Sequence, residues 1–180
     1  MVSGQDFLSS VAVKRLRREL VQLEKEKDFR ISVRLQKDEA GNEDLSRWFI
    51  TFEGSEESLY EGYYLEARMN FPPKYPNMPP VFYFTTKMWH PNVYNDGKVC
   101  ISILHTADDA VLDPSISDCS WTAVQSVRTV CLSILSMLNE PNVDSPANVD
   151  AAKQLRLEPE EYKKKVKEIL EEEAKKIEKV

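Results

Sequence analysis

The chain has 180 residues, 42 % of them hydrophobic, enough to close one core without disulfide or metal staples. Its formal net charge of −6 argues against nucleic-acid binding, and no apolar run approaches the ~18 residues that argue a membrane span. The three cysteines, Cys100, Cys119 and Cys131, are odd in number and lack CxxC or Cys/His spacing, so neither a disulfide framework nor a zinc site is expected. With no apolar leader in the first 30 residues, a reducing compartment, cytoplasmic or nuclear, is the expectation.

In chain order, the spacing first predicts a helix over 7–27. Val13, Leu16, Leu20 and Leu23 recur three and four residues apart and make one apolar stripe. Lys14, Arg15, Arg17 and Arg18 fall off that stripe, either as a solvated face or as a docking face for an acidic partner. RISVRLQ (30–36) alternates as a strand does, and KDEAGNED is a polar turn around Gly41. Further strands are predicted over 47–54, 63–71 and 81–85. Between the last two lies FPPKYPNMPP, whose five prolines exclude a central strand or a helix interior. It reads as a stiff surface connection, a plain linker or a preorganised docking loop.

The pattern loses periodicity from Trp89 to Leu104, and residues 105–120 read as a long loop with Asp108, Asp109, Asp113 and Asp118. A buried helix is predicted over 122–139, with Val124, Val127, Val130, Cys131, Ile134, Leu135 and Leu138 inward. On that face Cys131 reads as a small core residue. A short helix over 147–155 and an amphipathic one over 159–178 follow, the latter opening on Pro159 and acidic residues. Short links between strands make the sheet antiparallel. The expected class is α+β: a four-stranded antiparallel sheet with an N-terminal helix, a central buried helix and two C-terminal helices. All of 1–180 is expected to be a single domain, with an acidic insertion at about 105–120.

The chemistry concentrates in TKMWHPNVYNDGKVCISILH, 86–105. Cys100 follows a tight turn at Asn95-Asp96-Gly97, and His90-Pro91-Asn92 stand shortly before it. A thiol beside a side-chain amide suits acyl chemistry, because the thiolate attacks a carbonyl and the amide N–H donates to the oxyanion. Spacing alone leaves Cys100 open between that role and plain packing.

HPN, a glycine turn and then VCISIL resemble the active-site signature of ubiquitin-conjugating enzymes. Tyr60-Glu61-Gly62, the FPPKYPNMPP loop, Trp121, Glu140-Pro141-Asn142 and SPANVDA (145–151) fall in the family's order, so the resemblance covers essentially the whole chain. The long stretch from Cys100 to Trp121 resembles the acidic-loop group, and 83–105 and 139–151 look most like its cullin–RING branch.

The resemblance implies a transferase that accepts ubiquitin from an activating enzyme as a thioester on Cys100 and passes it to a lysine of a substrate protein. It implies a RING-type ligase as partner, polyubiquitin chain building and proteasomal degradation, with no cofactor and no metal at this step. Asn92 then donates to the oxyanion or braces the loop, and His90 and Pro91 are structural at the site. Asp108 and Asp109 are expected to attract and help deprotonate the acceptor lysine. Carboxylates disfavour a neighbouring thiolate, so they would not aid loading. Tyr94 and Ser145 match positions that orient the acceptor ubiquitin. The basic helix with Lys14, Arg15, Arg17 and Arg18 faces the activating enzyme. Asn77, Met78, Thr122 and Ala123 face the ligase, where Asn77 and Ala123 depart from the aromatic and proline common in the family. Three rival readings remain: a conjugating enzyme for another ubiquitin-like modifier, a binding-only variant, and a cysteine hydrolase using His90 or His105.

Overall fold

A computed structural model describes residues 8–26, 30–37, 40–112 and 121–177. Helix α1 (Ser10–Glu26) leads into strands β1 (Ile31–Lys37), β2 (Glu43–Glu53), β3 (Tyr64–Asn70) and β4 (Val81–Phe84). A short 3-10 turn (Ser102–Leu104) and helix α2 (Ala107–Leu112) come next. Helices α3 (Val127–Asn139), α4 (Val149–Leu157) and α5 (Pro159–Ile177) complete the chain. The sheet runs β1-β2-β3-β4 with every neighbour antiparallel. This is the α+β arrangement expected from the sequence.

Period-two alternation puts Trp48, Ile50 and Phe52 of β2, Leu65, Ala67 and Met69 of β3, and Phe82 and Phe84 of β4 into one core. Register aligns Trp48 with Met69 and Phe52 with Leu65, so these side chains stack across strands. The same core takes Val127, Val130, Cys131 and Ile134 from α3 and Leu16 from α1. The opposite face carries Arg34 over the Phe49 ring and Arg68 over the Tyr83 ring, at 4.7 and 5.0 Å.

Three differences from the sequence reading have a local physical cause, beyond shifts of one to three residues at other element ends. Strand β2 begins at Glu43, because its first residues pair with Gln36 and Lys37 beyond a register shift at which β2 carries Leu45, Ser46 and Arg47 as extra residues. Helix α3 begins at Val127 rather than 122. Ser126 stops it there through a reciprocal capping box with Thr129, and Val124, expected inward, is 85 % exposed. The segment after Cys100 is not all loop, since α2 occupies 107–112. Thr106 and Asp109 provide its start, with the Asp109 carboxylate accepting from the Thr106 amide and hydroxyl at 2.6 and 2.8 Å. Asp113, Asp118 and Cys119 lie outside the described residues.

Candidate active site

Residues 93–99 form a small hairpin against β4. Val93 bridges Val99, Lys98 bridges Tyr83, and the Val99 amide donates to the Phe82 carbonyl at 2.9 Å. Its turn needs glycine. Gly97 has φ +88°, and a Cβ there would lie 2.2 Å from the Phe84 carbonyl oxygen. The hairpin delivers Cys100 half-buried at its end, with its N–H donating to the Asn92 carbonyl at 3.0 Å. Cys131, by contrast, is fully buried on α3.

His90 is fully buried. The Asn92 amide can only donate, so Nδ1 of His90 is the acceptor at 3.0 Å. Its Nε2 therefore carries the proton and donates to the Met137 carbonyl at 3.1 Å. Burial lowers its pKa to about 4, against a smaller opposing effect of the Met137 carbonyl. The ring is neutral and both nitrogens are engaged, which suits a brace between the active-site loop and α3.

Asn92 is likewise buried, and its side chain reads the backbone of Asn142 in both directions. Nδ2 donates to the Asn142 carbonyl at 2.8 Å, and Oδ1 accepts from the Asn142 amide at 2.9 Å. The side-chain amide has two N–H groups, so one donor is left over after this pairing. Bracing and oxyanion donation are thus compatible. Asn142 in turn accepts on its own Oδ1 from the amides of Asp144 and Ser145 at 3.0 and 3.4 Å. Asn148 caps α4 through the Ala151 amide, and its own amide donates to the Pro91 carbonyl at 2.9 Å. Ser145 is exposed, and Tyr94 is 43 % exposed.

The sequence reading weighed His105 only as a hydrolase base, yet its Nε2 lies 3.4 Å from Cys100 Sγ. The 3-10 turn folds the chain back: the His105 amide donates to Ser102, and its carbonyl accepts from the Trp121 amide at 3.1 Å. That last bond joins the two residues that flank the 106–120 stretch. The signal was the five-residue step from Cys100 through an apolar SIL, which one turn of helix converts into proximity. Asp108 is exposed. Asp109 is held below the ordinary carboxylate range, first by the Thr106 backbone bond, with burial opposing and the charges of His105 and Lys98 assisting.

Of the cations on α1, Lys14, Arg17 and Arg18 are exposed, whereas Arg15 turns inward to Glu19 and to the carbonyls of Ala123 and Gln125. Asn77, Met78, Thr122 and Ala123 are exposed on two loops joined by the Trp121 indole N–H, which donates to the Pro76 carbonyl at 2.9 Å.

Residues 15–170 match the family model "Ubiquitin-conjugating enzyme". The chain is 50 % identical over 122 residues to "Ubiquitin-conjugating enzyme E2 7" of Arabidopsis thaliana, covering 68 % of this chain and 74 % of that one. It is 41 % identical over 162 residues to "Ubiquitin-conjugating enzyme E2 15" of Schizosaccharomyces pombe, covering 90 % and 95 %. An African swine fever virus protein, "Ubiquitin-conjugating enzyme E2", is 47 % identical over 137 residues, 71 % of this chain and 61 % of its own. The matched span contains the hairpin, the thiol and both braces, and the chain belongs to the ubiquitin-conjugating enzymes, acyltransferases that hold ubiquitin as a thioester.

Proposed function

We propose that Cys100 is the thiol that takes ubiquitin from the activating enzyme and releases it to a lysine. The observation that carries this is its placement: a half-buried thiol at the end of a hairpin, tethered by Asn92, with an imidazole 3.4 Å away. In loading, the Cys100 thiolate attacks the carbonyl carbon of the thioester that joins ubiquitin to the activating enzyme; the new thioester forms as the old C–S bond breaks, and the activating enzyme's thiolate leaves and takes up the proton that Cys100 gave up. In discharge, a deprotonated lysine amine attacks that carbonyl, the oxyanion forms, and collapse expels the Cys100 thiolate as the isopeptide bond closes. Asn92's second N–H supplies a donor for the oxyanion. Asp108 attracts the lysine ammonium, His105 is the nearest group to take its proton, and Asp109 holds α2 in place. Tyr94 and Ser145 orient the acceptor ubiquitin.

The partner is a RING-type ligase, docked on Asn77, Met78, Thr122 and Ala123, and Lys14, Arg17 and Arg18 meet the activating enzyme. The insertion supports the acidic-loop group near the cullin–RING branch, with polyubiquitin chains, proteasomal degradation and a cytoplasmic or nuclear site of action. None of the described helices is long and apolar enough to cross a membrane.

One gel tests the core of this reading. Incubation with activating enzyme, ATP and ubiquitin gives an adduct that reductant removes and that Cys100→Ala abolishes. An adduct that persists in Cys100→Ala would refute it.

A further inference from the structure

One carboxylate joins the two loops that carry the ligase-facing residues. Glu19 of α1 is 6 % exposed, an unusual place for an acid. Its Oε1 accepts from the Tyr75 hydroxyl at 2.8 Å and its Oε2 from the Val127 amide at 2.7 Å. Arg15, one turn earlier on the same helix, pairs with Oε1. Tyr75 lies in the proline-rich loop. Val127 is the first residue of α3, where an orphan amide and the helix dipole both favour an anion. The Arg15 guanidinium then reaches the Gln125 carbonyl at 2.8 Å and the Ala123 carbonyl at 3.3 Å. Trp121 links the far side of the two loops through Pro76, so the network closes on itself.

Apolar side chains would fill this space with less desolvation cost. The carboxylate instead fixes direction, because donors from three separate segments converge on it. Outside, each loop presents an exposed apolar side chain, Met78 and Val124. Neither loop has a strand or helix of its own to hold it in register with the other.

We propose that Glu19 and Arg15 are positioning residues for ligase-stimulated transfer, holding residues 74–78 and 121–126 as one preformed docking surface. The inference rests on the reading that a ligase docks on these loops. It moves Arg15 from the activating-enzyme face to the ligase side, although it shares a helix with Lys14, Arg17 and Arg18. A surface already assembled spares the partner the ordering of two loops, and that saving appears as affinity.

Two variants test it on the full chain. Arg15→Lys keeps the charge but replaces a planar fork with a point donor that cannot span Glu19 and two carbonyls. Tyr75→Phe removes one hydroxyl and leaves the ring against Phe71 and Trp121. Each is charged with ubiquitin, and discharge to free lysine is followed with and without a titrated complex of a cullin C-terminal fragment and its RING subunit. The expected result in both is a rise of about tenfold in the half-saturating ligase concentration, the effect of one lost charge-assisted hydrogen bond. Maximal discharge, ligase-free discharge and the charging rate stay unchanged. An unchanged half-saturating concentration overturns the proposal, whatever happens to the melting temperature, and so does wild-type protein that the complex fails to stimulate. A charging rate that falls in step in Arg15→Lys also overturns it, because that marks direct contact with the activating enzyme. No thioester at all in the wild type would instead sink the activity proposed for Cys100.

Discussion

The two histidines sit in opposite situations: His90 is held inside between the Asn92 amide and the Met137 carbonyl, and His105 stands beside the thiol. His90 is neutral with a pKa of about 4 in the fold, against 6.5 for an ordinary imidazole. Between these values the unfolded chain binds a proton that the folded one refuses, so stability falls as pH drops from 6.5 towards 4, by about 3 kcal/mol in full. Urea unfolding of the wild type at pH 7 and pH 5 should show this slope, and His90→Gln should flatten it. For discharge, His105→Gln is expected to slow single-turnover transfer to lysine because it removes the imidazole beside the thiol, and His90→Gln leaves the pH–rate profile in place; loss of an inflection in His90→Gln would make His90 the base. Asn92→Asp loses both N–H donors and sets a carboxylate against the Asn142 carbonyl. Single-turnover discharge should drop roughly 10²–10³-fold, with about 1–3 kcal/mol of stability lost in urea. Cys100, His90 and Asn92 were legible as a motif in the sequence. The pairing of Asn92 with Asn142 was not, because the two are 50 residues apart and neither a period nor a spacing links them.

Apart from α2, helix and strand existence followed from periodicity, and the starts of α2 and α3 followed from capping. Thr106-x-x-Asp109 and Ser126-x-x-Thr129 each place a side-chain acceptor on the third residue ahead or behind. Both are local signals that an apolar-stripe reading ignores. The consequence for the insertion is that its two leading acids do different work. Asp109 holds the start of α2, and Asp108 faces solvent. Asp108→Asn is therefore expected to slow lysine discharge while leaving thioester loading unchanged. Asp109→Asn should slow discharge too, and in addition speed amide hydrogen exchange through 107–112. Equal slowing of loading and discharge in Asp108→Asn would show that the acid does not act on the lysine. At the hairpin, Gly97→Ala forces a Cβ onto the Phe84 carbonyl at a left-handed φ. A loss of about 1–3 kcal/mol in chemical denaturation is expected, with slower loading of Cys100 as the hairpin shifts.

At the scale of the whole molecule, one core built from alternating strands and α3 supports two separate constructions: the thiol loop on one set of braces, and the proline-rich loop and the 121–126 loop on Glu19. The core was readable because burial is written as periodicity in Trp48, Ile50, Phe52 and their partners. The Glu19 network was hidden because a glutamate next to a basic helix face looks like solvated surface until its partners on remote segments are known. The frame around Cys100 has a further property. His90 to Met137, Asn92 to Asn142, Asn148 to Pro91 and Cys100 to Asn92 are bonds between amides, carbonyls and one uncharged ring. No ion pair is among them. Dissolved salt screens exposed charges and leaves such bonds alone. Raising ionic strength should therefore slow the encounters proposed for Lys14, Arg17, Arg18 and Asp108, while the carrier loop keeps its shape. A salt series thus reads the meeting of partners apart from the geometry of the thiol.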